Sequence, residues 1–155
     1  MQVVANKMVI GWAVAGVAGL WAAAIVTAPA LAQLSGSAAA MLYAVGSLIC
    51  HQLPARSFHL AGAQLPVCAR CLGLYAGGAA GALVWMLVAR TRARPWPREQ
   101  ALAFLTVAAI PTAVTAGIAI AGVGDPSNPW RAALAVPLGF AGGRIVAAVA
   151  TNHLK

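Results

Sequence analysis

Four long apolar segments constrain this chain more than any other feature of its sequence. They cover about residues 8–31, 71–89, 100–123 and 130–150. A helix rises 1.5 Å per residue, so about 20 apolar residues cross the roughly 30 Å hydrocarbon core of a bilayer. Only 8% of the residues are charged, whereas a soluble domain carries about 25%. The sequence therefore predicts an all-α, polytopic membrane protein that is surrounded by the lipid bilayer.

A fifth apolar segment, residues 37–50, is too short to cross a bilayer comfortably. We expect a short re-entrant or interfacial helix there; if it crossed, the chain would have five spans. Residues 30–32 resemble a signal-peptidase site, but the first apolar segment is longer than a signal-peptide core of about 7–15 residues. We therefore expect a retained span. The predicted fold is a membrane helical bundle of four transmembrane helices plus one short helix, in a single domain over residues 1–155.

Basic residues predict the orientation of the bundle. Arg90, Arg92, Arg94 and Arg98 follow the apolar segment 71–89, and a basic cluster beside a span usually stays in the cytoplasm. This orientation places residues 50–71 outside the cytoplasmic membrane, whether the chain has four spans or five. The net charge of +8 is then a topology signal, and we expect no nucleic-acid partner.

The segment 50–71, "CHQLPARSFHLAGAQLPVCARC", concentrates the reactive side chains of the chain. It contains all three cysteines and two of the three histidines: Cys50, Cys68, Cys71, His51 and His59. Cysteines two residues apart are typical of structural zinc sites. A Cys3His site would use the three cysteines and His51, with His59 as the alternative fourth ligand. Zinc is the expected metal, and iron is the alternative.

A closed tetrahedral site favours a structural or accessory role, because a catalytic zinc keeps one coordination position open. We therefore expect that the protein is not an enzyme. The spans contain no acidic residue and no lysine that could carry a cation, which argues against a transporter.

The same sulfur atoms allow two alternatives. Cys71 lies at the predicted start of a helix and beside Arg70, and both features favour a thiolate. Cys68 and Cys71 could then act in thiol–disulfide exchange with a membrane quinone, with Cys50 as the third, resolving thiol. The other alternative is a plain structural disulfide, which would leave one of the three thiols free.

Other side chains near the loop could support the site. Arg56, Arg70 and Tyr75 offer groups that bind anions or form hydrogen bonds. An ion pair between Asp125 and Arg131 is expected to hold the outer turn that precedes the last span.

Three glycines recur at every fourth position after the loop: Gly73, Gly77 and Gly81. This spacing places them on one helix face, where small residues let a second helix backbone approach closely. We expect this contact within the chain. The alternative is self-association, or binding of another membrane subunit, through the same face.

The loop motif closely resembles the signature of a family of small, uncharacterised prokaryotic membrane proteins, a domain of unknown function. The matching residues are Cys50, His51, Gln52, Arg56, Ser57, Gly62, Pro66, Cys68, Arg70, Cys71, Gly73, Tyr75 and Gly77. "SNPWR", residues 127–131, resembles a later motif of the family. Thr115 departs from the pattern, because members usually carry an acidic residue there. The resemblance implies a multi-span protein of a prokaryotic cytoplasmic membrane with a metal or thiol site, and it implies no particular reaction.

Overall fold

The computed structural model describes residues 2–89 and 95–154, so Arg90, Arg92 and Arg94 of the basic cluster lie outside the described residues. Five α-helices account for most of the described chain: α1 (Gln2–Leu34), α2 (Gly36–Ile49), α3 (Ala69–Ala89), α4 (Arg98–Ile120) and α5 (Asn128–Ala150). A two-stranded antiparallel sheet, β1 (Ser57–Leu60) and β2 (Ala63–Cys68), lies between α2 and α3. The protein is thus a helical bundle with a small hairpin inserted after its short helix.

Four of these helices, α1, α3, α4 and α5, are long and apolar enough to cross a membrane. Each corresponds to one of the predicted spans, which confirms the predicted bundle. Helix α2 has 14 residues and a length of about 21 Å, shorter than the roughly 30 Å bilayer core. Helix α4 ends at Ile120, three residues earlier than expected, because Gly122 adopts a φ of 69°. A glycine in this left-handed conformation terminates helices in the Schellman motif.

Helices α3 and α5 approach so closely that there is no room for side chains between their backbones, and glycines occupy these positions. The α3 face of this contact contains three buried glycines: Gly73, Gly77 and Gly81. A Cβ atom at Gly77 would collide with the carbonyl oxygen of Val136, and one at Gly139 of α5 would collide with that of Leu74. The glycines therefore serve a contact within the chain, as the sequence predicted. Self-association through the same face would require α3 and α5 to separate.

Helix α1 packs against α3 and α5, and α4 packs against α5. At one end of the bundle, Met8 and Trp12 of α1 pack with Trp85 and Trp96. The Trp96 backbone N–H also donates a hydrogen bond of 2.7 Å to the His153 carbonyl oxygen. The start of α1, the end of α3, the start of α4 and the end of α5 therefore share this end, and the hairpin lies at the other.

Arg144 lies among aromatic rings towards the end of the bundle that is opposite to the hairpin. Its guanidinium carbon is 5.7 Å from the ring centroid of Trp85, 5.2 Å from that of Trp96 and 5.9 Å from that of Phe104. Aromatic faces attract cations most strongly where water is excluded. These contacts explain how an apolar helix accommodates a permanently charged side chain.

The sequence did not predict the β-hairpin. Leu60 of β1 pairs with Ala63 of β2, and the two residues between them, Ala61 and Gly62, have φ values of 50° and 80°. Two positive φ values define the tight turn whose twist matches that of paired strands. Alanine rarely adopts a positive φ, so Ala-Gly is a weak turn signal. The hairpin directs Val67 of β2 into the interior, where it is fully buried.

Replacing Gly77 with alanine tests the contact between α3 and α5. The added methyl group would meet the Val136 carbonyl, so we expect Gly77→Ala to lower the free energy of unfolding by about 1–3 kcal/mol. The matched control is Gly117→Ala on α4, where a Cβ atom meets nothing within 4 Å. There, the better helix propensity of alanine should leave stability unchanged or raise it by up to about 1 kcal/mol. Equal effects of the two variants, measured by unfolding in mixed micelles, would contradict this packing.

Candidate metal centre

Three separate elements bring the cysteines together. Cys50 directly follows α2, Cys68 is the last residue of β2, and Cys71 lies in the first turn of α3. The three sulfur atoms lie within 4.8 Å of one another. Cys50 is buried, and Cys68 and Cys71 are half-buried. The structure thus assembles a compact set of sulfur donors from residues up to 21 positions apart.

Hydrogen bonds stabilise negative charge within this set. The Cys68 backbone N–H donates to the Cys50 sulfur at 3.1 Å. The hydrogen bond from the Cys71 thiol is the main cause that lowers the pKa of Cys68 to about 5, and Cys50 contributes in the same direction. Cysteine binds metals and attacks disulfides as the thiolate. The local environment therefore favours the chemically active form of Cys68.

The two loop histidines lie in different surroundings. His51 is exposed and forms part of the wall of the cavity that the cysteines line. His59 is exposed on β1, opposite Gln64. Within the described chain, the group with ligand atoms in mutual reach contains only the three cysteines. The fourth ligand remains a prediction, and the location of His51 favours it over His59.

Apolar side chains enclose the sulfur atoms on their inner side. Ile25 of α1 and Val67 of β2 are fully buried and pack with Cys50. Trp21 and Tyr75 pack against the same cluster, and their rings meet edge to face with centroids 6.0 Å apart. This places Tyr75, predicted as a supporting residue, in the wall behind the cysteines. Excluding water on this side strengthens electrostatic interactions at the sulfur atoms.

Gln52 joins the loop to α2, a role that sequence reasoning missed. Its side-chain amide donates hydrogen bonds to the Tyr43 carbonyl at 2.9 Å and to the Pro66 carbonyl at 2.7 Å. Gly46 of α2 lies beside this amide, and a Cβ atom there would collide with the Pro66 carbonyl oxygen. Gln52 itself has a φ of 48°, which costs free energy for a residue other than glycine. The sequence feature that could have indicated this role is the position of Gln52 directly after Cys50 and His51.

A second glutamine, Gln64 of β2, bonds to the segment that precedes the hairpin and to the start of β1. The Gln64 side chain donates to the Gln52 carbonyl at 2.6 Å and to the Ser57 hydroxyl at 3.2 Å. The buried Ser57 hydroxyl in turn donates to the Leu53 carbonyl at 2.9 Å. The Tyr43 hydroxyl donates to the Gln64 carbonyl. Side chains thus satisfy backbone carbonyls of the hairpin and of the segment that precedes it.

The first turn of α5, together with Asp125 before it, contacts the loop. The Asn128 side chain donates to the Ser57 carbonyl at 3.0 Å. Arg131, which is buried, donates to the Asn128 side-chain oxygen at 2.7 Å and to Asp125 through its Nε at 3.1 Å. Arg56 of the loop reaches the same Asp125 carboxylate at 3.2 Å. The predicted ion pair of Asp125 and Arg131 is confirmed, and Arg56 extends it to the loop.

Arg70 connects the site to α4. One terminal nitrogen of its guanidinium donates to the Thr115 carbonyl at 3.0 Å. Its Nε atom is buried and has no hydrogen-bond partner among the described residues. The contact of Arg70 with α4 is thus to a neutral backbone carbonyl oxygen.

A cavity of about 340 Å³ opens beside the sulfur atoms. Ten residues line it: Ile49, Cys50, His51, Gln52, Leu53, Arg56, Cys68, Arg70, Cys71 and Arg131. This volume lies at the lower end of the range for small-molecule sites, about 300–1,000 Å³. The cysteines are therefore accessible from a space large enough for a ligand.

The fold and this site define a polytopic α-helical membrane protein with a cysteine-lined cavity at one end of its bundle. Residues 50–145 match the family of predicted membrane proteins DUF2085, and since this is more than half of the chain, the protein belongs to that family. This confirms the resemblance seen in the sequence. An uncharacterized protein of Methanocaldococcus jannaschii is 38% identical over 90 residues, which is 58% of this chain and 56% of the relative. The alignment thus spans little more than half the length of either protein. No solved structure matches the chain.

Truncating Gln52 tests whether it holds the loop on α2. Gln52→Ala would leave the Tyr43 and Pro66 carbonyls without this donor, so we expect a loss of about 1–3 kcal/mol in the free energy of unfolding. Gln33→Ala, at an exposed position, is the matched control and should change stability by less than about 0.5 kcal/mol. Chemical unfolding in mixed micelles measures both variants. A Gln52→Ala protein as stable as the control would show that these hydrogen bonds do not support the loop.

Proposed function

We propose that Cys50, Cys68 and Cys71 bind one metal ion, and that zinc is this metal. The observation that carries the proposal is the convergence of three sulfur atoms, from three separate elements, within 4.8 Å. A zinc–sulfur bond of about 2.3 Å in a tetrahedral site places sulfur atoms about 3.8 Å apart. Small side-chain rotations accommodate this spacing. Iron is the alternative metal, because thiolates also ligate it.

His51 is the proposed fourth ligand, with His59 as the alternative. Its place in the cavity wall supports this assignment, and an imidazole nitrogen completes the Cys3His set that is typical of structural zinc sites. A closed set of four protein ligands leaves no position for a substrate, which supports a structural or accessory role in the membrane rather than an enzymatic one.

The bound metal would hold together the three elements that supply the sulfur atoms. Cys50 anchors the end of α2, Cys68 the hairpin and Cys71 the start of α3. The two strands of the hairpin have only four and six residues, and isolated hairpins are marginally stable in water. A metal cross-link would therefore stabilise the short hairpin.

Thiol–disulfide exchange is the second candidate function, because the same three thiols line an open cavity. Oxidation of Cys68 and Cys71 to a disulfide would release two electrons and two protons to a membrane quinone. Cys50, whose sulfur lies within 4.8 Å of both, would then resolve mixed disulfides. This function requires the cysteines to cycle between thiol and disulfide, whereas a structural metal requires them to remain thiolates.

The zinc content of the purified protein separates these two functions. We expect about one equivalent of zinc per chain by elemental mass spectrometry, and its loss from a Cys68→Ser/Cys71→Ser double variant, because two of four ligands are removed. His51→Ala should weaken zinc binding, because one of the four proposed ligands is removed, whereas His59→Ala and His153→Ala should retain the ion.

Two results would contradict the metal proposal. The first is protein, purified under reducing conditions, that contains no zinc or iron. The second is a reversible Cys68–Cys71 disulfide in the wild type, which would support exchange instead. If His59→Ala lost more zinc than His51→Ala, the fourth ligand would be His59 rather than His51, and the metal proposal would stand.

The loop is proposed to lie outside the cytoplasmic membrane of a prokaryote. Lys7 and Arg98 belong to the end of the bundle opposite to the hairpin, and the arginines of residues 90–94 precede α4 in the sequence. Cytoplasmic loops carry the excess of basic residues. The end that bears Lys7 and Arg98 is therefore the proposed cytoplasmic end.

Cysteine accessibility in intact cells tests this orientation. Leu60→Cys, at an exposed position beside the hairpin turn, should react with a membrane-impermeant maleimide. Gln100→Cys, exposed near the start of α4, should react only after the cells are lysed, and the wild type corrects for the native cysteines. The reverse pattern would place the loop in the cytoplasm.

A further inference from the structure

The cavity beside the cysteines has a surplus of positive charge. Arg56, Arg70 and Arg131 contribute to its lining, and no acidic residue of the described chain does. The nearest carboxylate is Asp125, which pairs with both Arg56 and Arg131. This one carboxylate thus pairs with two of the three guanidinium groups.

This surplus persists when the proposed metal is present. A zinc ion and three thiolates carry one negative charge together, and Asp125 carries another. Three arginines, which remain charged at all physiological pH values, therefore leave one net positive charge. The negative charge of the thiolates therefore does not balance the positive charge of the three arginines.

Arg70 has the most incomplete set of partners. Its guanidinium donates to the neutral Thr115 carbonyl at 3.0 Å, and its buried Nε has no partner within the described ranges. An unsatisfied buried donor is costly, and more so when it is charged. Arginine presents its donors in a planar fork that matches the oxygens of phosphate and carboxylate groups. Arg70 therefore has capacity for an anionic acceptor.

Contacts within the protein hold the Arg131 side chain in position. Its side chain is 7% exposed, and it is held by Asp125 and Asn128. Arg56, with 42% of its side chain exposed, also lines the cavity and pairs with Asp125 at 3.2 Å. Three guanidinium groups thus line one space, and the planar fork of a guanidinium matches the oxygens of an oxyanion.

We propose that this cavity binds a phosphate-type oxyanion, with Arg70 as the main contact and Arg131 and Arg56 as further contacts. The ligand is a small phosphorylated molecule or the phosphate of a lipid headgroup. Ile49 and Leu53, which also line the cavity, provide apolar surface for the rest of the ligand. This site lies beside the proposed metal ion and does not depend on it.

Phosphate binding to the full chain tests the proposal. Inorganic phosphate is titrated into delipidated protein in detergent by calorimetry. In a second arm, the protein is incubated with micelles that contain phosphatidylglycerol, and retained lipid phosphorus is measured after washing. Arg70→Gln should weaken binding by at least about tenfold, and Arg56→Gln should weaken it less. Arg98→Gln, which removes an exposed arginine at the opposite end, is the matched control and should bind like the wild type.

The two arms separate the sources of the anion. Binding of inorganic phosphate that depends on Arg70 supports a soluble phosphorylated ligand, and retained phosphatidylglycerol that depends on Arg70 supports a lipid headgroup. Zinc content measured on the same samples should be unchanged in Arg70→Gln, so failure of the metal site and failure of the anion site are distinguishable. If Arg70→Gln does not fold, Arg56→Gln carries the test. Absence of binding in both arms, or equal weakening by Arg98→Gln, would overturn the proposal.

Discussion

The close contact between α3 and α5 is the constraint on which the site depends. Gly73 lies against the backbone of Ala132, so the first turns of the two helices are held side by side. Cys71 precedes Gly73 by two residues, and Arg131 directly precedes Ala132. The register of two helices in the apolar interior therefore decides that a cysteine and an arginine meet in one cavity. A shift by one turn, about 5.4 Å, would separate them.

Near that contact, side chains donate hydrogen bonds to backbone carbonyls of the loop. A chain at a membrane surface has limited access to water, and each unsatisfied carbonyl is costly. Gln52, Gln64 and Asn128 supply donors to carbonyls of the loop and of α2. These amide side chains are uncharged, so they can be placed near the bilayer at lower cost than lysine or arginine. The loop is ordered by a small polar network rather than by a hydrophobic core of its own.

The sequence predicted the spans well because length and hydropathy alone determine whether a helix can cross a bilayer. It predicted the glycine contact for a similar reason, since spacing of four residues places Gly73, Gly77 and Gly81 on one face. It grouped the three cysteines because they fall within one short segment, and their sulfur atoms lie within 4.8 Å of one another; their binding of a metal stays a prediction. These are regular patterns that act over short stretches of chain.

The hairpin and the role of Gln52 could not be obtained in this way. The turn depends on a positive φ at Ala61, which alanine adopts only when surrounding contacts enforce it. Gln52 acts on Tyr43 and Pro66, residues 9 and 14 positions away, and no local pattern encodes such contacts. Arg56 was recognised as a supporting residue, but its ion pair with Asp125 links segments almost 70 residues apart.

Asp125 gives the loop end of the bundle a particular response to acid. Its hydrogen bond from Arg131 is the main cause that holds the pKa of Asp125 below its ordinary value, with Arg56 acting in the same direction. An acid whose pKa is lowered by folding stabilises the fold fully above its unfolded pKa of about 3.9, and the stabilisation fades only as the pH falls through the lower folded value. The contribution is modest, because the carboxylate is partly exposed. In the proposed orientation this end meets a medium whose acidity the cell does not control, and the ion pairs there remain intact in mildly acidic habitats.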